Sequence, residues 1–278
     1  MKLNVTKPLV DAEFLRQNID ASNLIVLKAV LQKVGTSDTN HKESYIPNSR
    51  IFDVKNVFSN NNAPFPNTIP SSIQFQREVQ KLGINQDSCI IVYENDGIYA
   101  SPRVWWMFQV FGFKNIAVLD GGFLAWQKLF FPEVSTLINS YLKGNFKISI
   151  DSNKISNTNN VLEAIKKGKN ILDARAEGRF NATIPEPRPG LRGGHIPTSI
   201  NLPYTELLVN GKMKTEVELQ TLFSNYSSPS EPVIFSCGSG ITACILALGA
   251  SVVGIENYSV YDGSWTEWAS NKDLPIES

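Results

Sequence analysis

Two stretches of this chain repeat each other at long range. Gly112-Phe113-Lys114-Asn115-Ile116-Ala117-Val118-Leu119-Asp120-Gly121-Gly122 returns as Gly254-Ile255-Glu256-Asn257-Tyr258-Ser259-Val260-Tyr261-Asp262-Gly263-Ser264 after a shift of 142 positions, and the same shift lays Trp126 on Trp268. Tyr45-Ile46-Pro47-Asn48-Ser49 pairs with His195-Ile196-Pro197-Thr198-Ser199, and Leu27-Lys28-Ala29-Val30 with Leu172-Asp173-Ala174-Arg175. A period this long means a duplicated domain, because solenoid repeats recur every few tens of residues. Two halves must therefore solve the same folding problem.

Each half alternates short β runs with helical patterns. The first half has Leu24–Leu27, Ile90–Tyr93 and Ile116–Leu119; the second has Ile171–Leu172, Val233–Ser236 and Tyr258–Tyr261. Between them, Phe75, Val79 and Leu82 form a helical stripe that Gly83 ends. Thr215 and Glu218 predict a capping box for a helix that buries Leu219, Leu222 and Phe223. Strand–helix alternation implies a mostly parallel sheet flanked by helices, an α/β fold, in each of two tandem domains. A polar, Asn/Ser/Lys-rich stretch separates the halves. The expected organisation is a first domain over 1–135, a linker over 136–156 and a second domain over 157–278.

The halves differ at one chemically decisive place. The run Val233-Ile234-Phe235-Ser236 leads into Cys237-Gly238-Ser239-Gly240-Ile241-Thr242, and a buried helix begins at Ala243. A cysteine at the end of a strand, followed by a glycine-rich loop and a helix N-terminus, has N–H groups and a positive helix end suited to hold an anionic sulfur. Cys237 is the expected nucleophile, with Gly238, Gly240, Ile241 and Thr242 supplying the loop backbone. The matching strand of the first half, Ile90–Tyr93, leads instead to Glu94, which has no thiol. Cys244 sits in an apolar helix and Cys89 at a strand start, so both read as packing residues.

Composition narrows the function classes. Lys plus Arg and Asp plus Glu each number 26, so no charge excess exists to hold nucleic acid or an acidic membrane surface. No apolar run approaches the roughly 18 residues of a membrane span. Three cysteines do not make a disulfide framework, and Met1–Pro8 carries no apolar signal core, so a reducing, cytoplasmic setting is expected. With 2 histidines there is no His-rich metal site. Neither a metal nor a cofactor is expected.

The tandem repeat, the cysteine loop confined to the second half and the Asp-Gly-x4-Trp endings resemble the two-domain rhodanese superfamily. Supporting stretches are Ser101-Pro102-Arg103-Val104-Trp105-Trp106-Met107-Phe108, Gly178-Arg179-Phe180, Glu186-Pro187-Arg188 and Gly194-His195-Ile196-Pro197. The loop Cys237–Ala243 is similar to that of the mercaptopyruvate-using branch, with Ile241 in place of Val. This resemblance implies two rhodanese-like domains, the first catalytically silent. It implies a sulfurtransferase that moves sulfane sulfur from 3-mercaptopyruvate, through a Cys237 persulfide, to cyanide or a thiol acceptor such as thioredoxin, with release of pyruvate. Ser239 would offer its hydroxyl to the sulfur or the transferring group. Arg179 and Arg188 would bind the substrate carboxylate and carbonyl.

Details of the loop bear on the donor. Thiosulfate-preferring relatives carry basic residues at the two positions after the cysteine, whereas Gly238 and Ser239 are neutral, which favours a monoanionic donor. Thiosulfate as main donor and a persulfide carrier with little turnover are the alternatives. A phosphatase of the Cys-x5-Arg kind would need arginine at position 243, which is Ala243. Mercaptopyruvate enzymes of this type often place an acidic residue and a histidine near the serine; the corresponding positions here are Lys55 and Asn67, so that relay is not expected. Asp173 and Arg175 read equally well as an ion pair at the sheet end or as site residues, His195 as a structural hydrogen-bonding residue, and Trp105, Trp106, Trp126 and Trp268 as core or domain-contact aromatics.

Overall fold

A computed structural model describes residues 2–31, 44–226 and 231–278, which divide into two units. The first takes in the chain up to Asn61, Ile69–Ile150 and Asn210–Met213; the second takes in Asn62–Thr68, Asp151–Val209 and Lys214–Ser278.

The first unit is built on β1 (Leu9–Val10), β2 (Leu24–Val30), β3 (Ser49–Asp53), β4 (Cys89–Tyr93) and β5 (Ile116–Leu119), with α1 (Ala12–Gln17), α2 (Ser72–Lys81), α3 (Ser101–Val110) and α4 (Gly122–Lys128). The strands pair in the order β1-β5-β4-β2-β3, all parallel. Every residue of β4 is buried, as a strand covered on both faces requires. Cys89, Ile91 and Tyr93 enter one cluster with Phe123 and Trp126 of α4. Aromatic rings fill another part of the core: Phe75 stacks on Phe111 with centroids 4.1 Å apart, and Phe146 lies 5.6 Å from Phe113. Residues 136–150 of the expected linker belong to this first unit. Phe146 is fully buried, and the Phe146 amide donates to the Ile84 carbonyl at 3.2 Å. Hydrogen bonds tie the same stretch down, the Gly144 amide donating to the Gln80 carbonyl at 2.8 Å and the Ser149 amide to the Phe111 carbonyl at 3.1 Å, and such contacts leave no periodic trace.

The second unit repeats the plan. Its strands are β6 (Ile155–Ser156), β7 (Asn170–Asp173), β8 (Ile200–Asn201) and the short β9 (Leu208–Val209), then, after β10 (Lys212–Met213), which is counted with the first unit, β11 (Val233–Ser236) and β12 (Tyr258–Tyr261). Its helices are α5 (Thr158–Lys167), α6 (Glu177–Phe180), α7 (Glu216–Ser224), α8 (Ala243–Val252) and α9 (Ser264–Ser270). The sheet order β6-β12-β11-β7-β8 matches the first sheet strand for strand and is also parallel. The Thr215–Glu218 capping box closes the start of α7.

The duplication extends to single hydrogen bonds. Trp126 Nε1 donates to the Pro132 carbonyl at 2.8 Å, and Trp268 Nε1 to the Pro275 carbonyl at 2.7 Å. Ser49 Oγ donates to the Ile46 carbonyl at 2.5 Å, and Ser199 Oγ to the Ile196 carbonyl at 2.6 Å. Asn48 and Thr198 take the same left-handed conformation, at φ 64° and 65°. Because all strands of each sheet run one way, their carboxyl ends share one edge, where ligand sites of open parallel sheets form. Cys237 follows the carboxyl end of β11, and Glu94 that of β4.

Candidate active site

The loop after β11 must turn a fully buried strand into α8, whose residues Ala243–Ala250 are all buried. Six residues make that connection, and Gly240 does so at φ 76°, a conformation that favours glycine. The carbonyls of the loop are tied to α9: the Trp265 amide donates to the Cys237 carbonyl at 2.9 Å, and the Thr266 amide to the Gly238 carbonyl at 3.0 Å. Ser264 Oγ accepts the Cys237 amide at 3.1 Å, donates to the Tyr261 carbonyl at 2.7 Å and lies 3.9 Å from Cys237 Sγ. With the Cys237 and Gly238 carbonyls engaged by α9, the loop keeps amide donors in reserve. Among the described residues, the amides of Gly238, Ser239, Ile241 and Thr242 have no hydrogen-bond acceptor. Cys237 is itself buried, at 1% exposure.

The first unit shows what such a loop does with its amides. Glu94 stands where Cys237 stands, and its carbonyl accepts the Phe123 amide at 2.8 Å, as the Cys237 carbonyl accepts Trp265. Glu94 Oε1 accepts the amides of Tyr99, Ala100 and Ser101 at 2.6, 2.7 and 2.8 Å, together with the Ser101 hydroxyl at 2.8 Å. Consecutive N–H groups at the helix start therefore converge on the side chain of the first loop residue. Burial pushes the Glu94 carboxyl up, and these donors pull against it. The second loop is one residue shorter, so the helix starts Ser101 and Ala243 are related by a shift of 142, which makes Ile241, Thr242 and Ala243 the counterparts of the three donating residues.

Both expected arginines come to this loop. Arg179, on the single turn of α6, packs on Gly238: a Cβ built there would lie 2.9 Å from Arg179 Nη2. Arg188 Nη2 donates to Ser239 Oγ at 3.3 Å and its Nη1 to Thr266 Oγ1 at 3.4 Å. Glu186, whose role sequence reasoning missed, organises the arginines. It accepts from Arg179 Nη2 at 2.6 Å and from Arg175 Nη1 at 2.9 Å, with its side chain only 2% exposed. Its place between the Arg179 and Arg188 motifs was the available signal.

The structure resolves Asp173 and Arg175 into an ion pair beneath the site. Arg175 Nη2 lies 2.7 Å from Asp173 Oδ2, donates to the Gly194 carbonyl at 2.9 Å, and its guanidinium lies over the Trp265 ring at 4.4 Å. Burial works against the Arg175 charge, but Asp173 and Glu186 outweigh it and raise its pKa. His195 Nδ1 lies 3.0 Å from the Phe180 carbonyl, and its ring stacks on Phe180 at 3.8 Å, which is structural packing. Lys55 is exposed in the first unit. Asn67 belongs to the second unit and donates from Nδ2 to Ser239 Oγ at 3.0 Å. Among the described residues no cluster of His, Cys, Asp or Glu could hold a metal ion, and no helix is long and apolar enough to cross a membrane.

Comparison with known proteins agrees with this fold. The family described as Rhodanese-like domain matches residues 12–129 and 157–271. The 3-mercaptopyruvate sulfurtransferase of Escherichia coli (strain K12) is 36% identical over 276 residues, covering 96% of this chain and 97% of that protein. The thiosulfate sulfurtransferase of Cricetulus griseus is 36% identical over 265 residues, covering 92% and 89%. The crystal structure of SseA from Escherichia coli superposes with a TM-score of 0.84 at 32% identity, over 94% of this chain and 99% of that one.

Proposed function

The chain belongs to the rhodanese family and is a sulfurtransferase, and from that premise we propose that it takes sulfur from 3-mercaptopyruvate, carries it as a persulfide on Cys237 and passes it to a thiol or to cyanide. The observation that carries this reading is the neutral pair Gly238–Ser239 after the cysteine, with positive charge supplied from the side by Arg179 and Arg188. A monoanion with a carboxylate and a neighbouring carbonyl suits two guanidinium forks set apart from the sulfur. A thiosulfate dianion is better served by charge within the loop.

The steps balance without a cofactor. The Cys237 thiolate attacks the donor sulfur, an S–S bond forms, the donor C–S bond breaks, and the electron pair passes onto the carbonyl as an enolate. The proton of the donor thiol ends on the carbon that becomes the methyl group of pyruvate, leaving Cys237–S–S⁻. The amides of Gly238, Ser239, Ile241 and Thr242 are the free donors for that anion. A thiolate or cyanide then takes the outer sulfur and restores the Cys237 thiolate. With a dithiol acceptor such as thioredoxin, the acceptor becomes a disulfide and the sulfur leaves as hydrogen sulfide. Catalysis is assigned to the second domain, 157–278, and the first, 1–135, is silent because Glu94 fills its loop. Three free cysteines, all buried, favour a reducing compartment such as the cytoplasm.

The test is steady-state pyruvate release from 3-mercaptopyruvate with dithiothreitol, cyanide or thioredoxin as acceptor, beside thiocyanate formation from thiosulfate. The expected kcat/KM is higher for mercaptopyruvate. Pyruvate no faster than a Cys237→Ser control would end the donor assignment, and a higher kcat/KM for thiosulfate would transfer it to that donor.

A further inference from the structure

Ser239 Oγ receives two hydrogen bonds, from Asn67 Nδ2 at 3.0 Å and Arg188 Nη2 at 3.3 Å. A hydroxyl oxygen has two lone pairs, and neither a guanidinium nor an amide NH2 can accept. With both lone pairs engaged, the hydroxyl has one function left, which is to donate its proton. Among the described residues nothing accepts that proton, although Ser239 is only 8% exposed. The donor is thus unspent and sits two residues from the reactive sulfur.

We propose that Asn67 is a positioning residue that, with Arg188, locks Ser239 as a hydrogen-bond donor to the oxygen on which enolate charge builds as the donor C–S bond breaks. This rests on the mercaptopyruvate reading above. A serine held in this way cannot serve as a general base, since its lone pairs are occupied, and no base is required because the donor thiol supplies the proton that pyruvate gains. Asn67 thereby does different work from a relay histidine: it carries no ionisable proton and sets only the direction of the hydroxyl. Asn67 adopts φ 61°, so glycine can replace it without backbone strain.

The experiment compares Asn67→Gly and Asn67→Asp, each alone and combined with Ser239→Ala, by the rate of pyruvate formation at saturating 3-mercaptopyruvate. Thermal melting checks that each variant is folded. Asn67→Gly should lower kcat about tenfold, the scale of one hydrogen bond aimed at developing charge, with KM changed less than about twofold. Asn67→Asp should lower kcat further, because its oxygens only accept and would turn the Ser239 proton away from the site. In the Ser239→Ala background both substitutions should have little further effect on kcat. A space-filling role would give the reverse order, with isosteric Asp milder than Gly; that order, or losses that persist undiminished without the Ser239 hydroxyl, would overturn the inference. Pyruvate from the wild type with Asn67→Gly unchanged would sink this inference alone. No pyruvate from the wild type would sink the donor assignment, and this inference with it.

Discussion

Arg179 and Glu186 are joined by two hydrogen bonds, Nη2 to Oε2 at 2.6 Å and Nε to Oε1 at 3.2 Å, and the guanidinium so oriented lies against Gly238. The second grip on Glu186 comes from Arg175, whose side chain is fully buried. One carboxylate therefore sets the position of the arginine against the cysteine loop and helps keep a buried one neutralised.

Replacing Glu186 by Gln should act on stability and on binding together. The change leaves Arg175 with one fewer countercharge in a buried site, and breaking such a group costs about 3–5 kcal/mol, less here because Asp173 remains. We expect a loss of about 2–3 kcal/mol in urea unfolding, on that same scale, and a raised KM for the donor. Wild-type stability and wild-type KM in this variant would show that Arg179 is positioned by something else.

Gly238→Ala separates binding from folding. The added Cβ would meet the far end of the Arg179 side chain at 2.9 Å. The tip of a long side chain can shift cheaply, so stability should change by less than about 1 kcal/mol, as for most substitutions away from a rigid contact. The displaced guanidinium should raise the donor KM several-fold while kcat falls less. An unchanged KM would separate Arg179 from donor binding.

Cys237→Ser should leave the thermal midpoint near that of the wild type and remove sulfur transfer. Intact mass after incubation with donor should rise by about 32 Da, one sulfur atom, in the wild type and stay constant in the variant, since only a thiolate carries the persulfide. A mass gain that survives the substitution would move the carrier to Cys89 or Cys244, both buried.

Cys89 predicts an alkaline weakness. Burial pushes its thiol up to about 11, against a backbone hydrogen bond with Val5, from an ordinary value of about 8.5. The folded state therefore favours the neutral thiol. That contribution is complete below about pH 8.5 and is lost as pH rises through about 11. Tyr93, pushed up to about 12 by burial, adds a loss at higher pH. Urea midpoints at pH 8 and pH 10.5 should fall more for the wild type than for Cys89→Ala, and equal falls would refute the assignment.

The sequence reading reached the architecture because its signals are local and doubled. The strands Ile116–Leu119, Val233–Ser236 and Tyr258–Tyr261 appear at the limits their mostly apolar runs implied, since a strand covered on both faces is predominantly apolar. Boundaries beyond polar residues were less visible: β7 extends to Asn170 and Asp173, and β2 continues past Lys28 to Val30. The linker stretch concealed Phe146, whose burial depends on partners such as Phe75 and Phe113 far away in sequence.

For the site, the chain alone pointed to Cys237 and determined which loop surrounds it, because strand, glycines and helix start are contiguous from Val233 to Ala243. Tertiary structure alone decided what that loop faces. Asn67 meets Ser239 across 172 positions, and Glu186 reaches Arg175 and Arg179 through a fold that brings three charged side chains to one buried point. Polar side chains leave no periodic mark on the chain. Their partners are set by where the backbone places them once apolar burial has fixed the sheets.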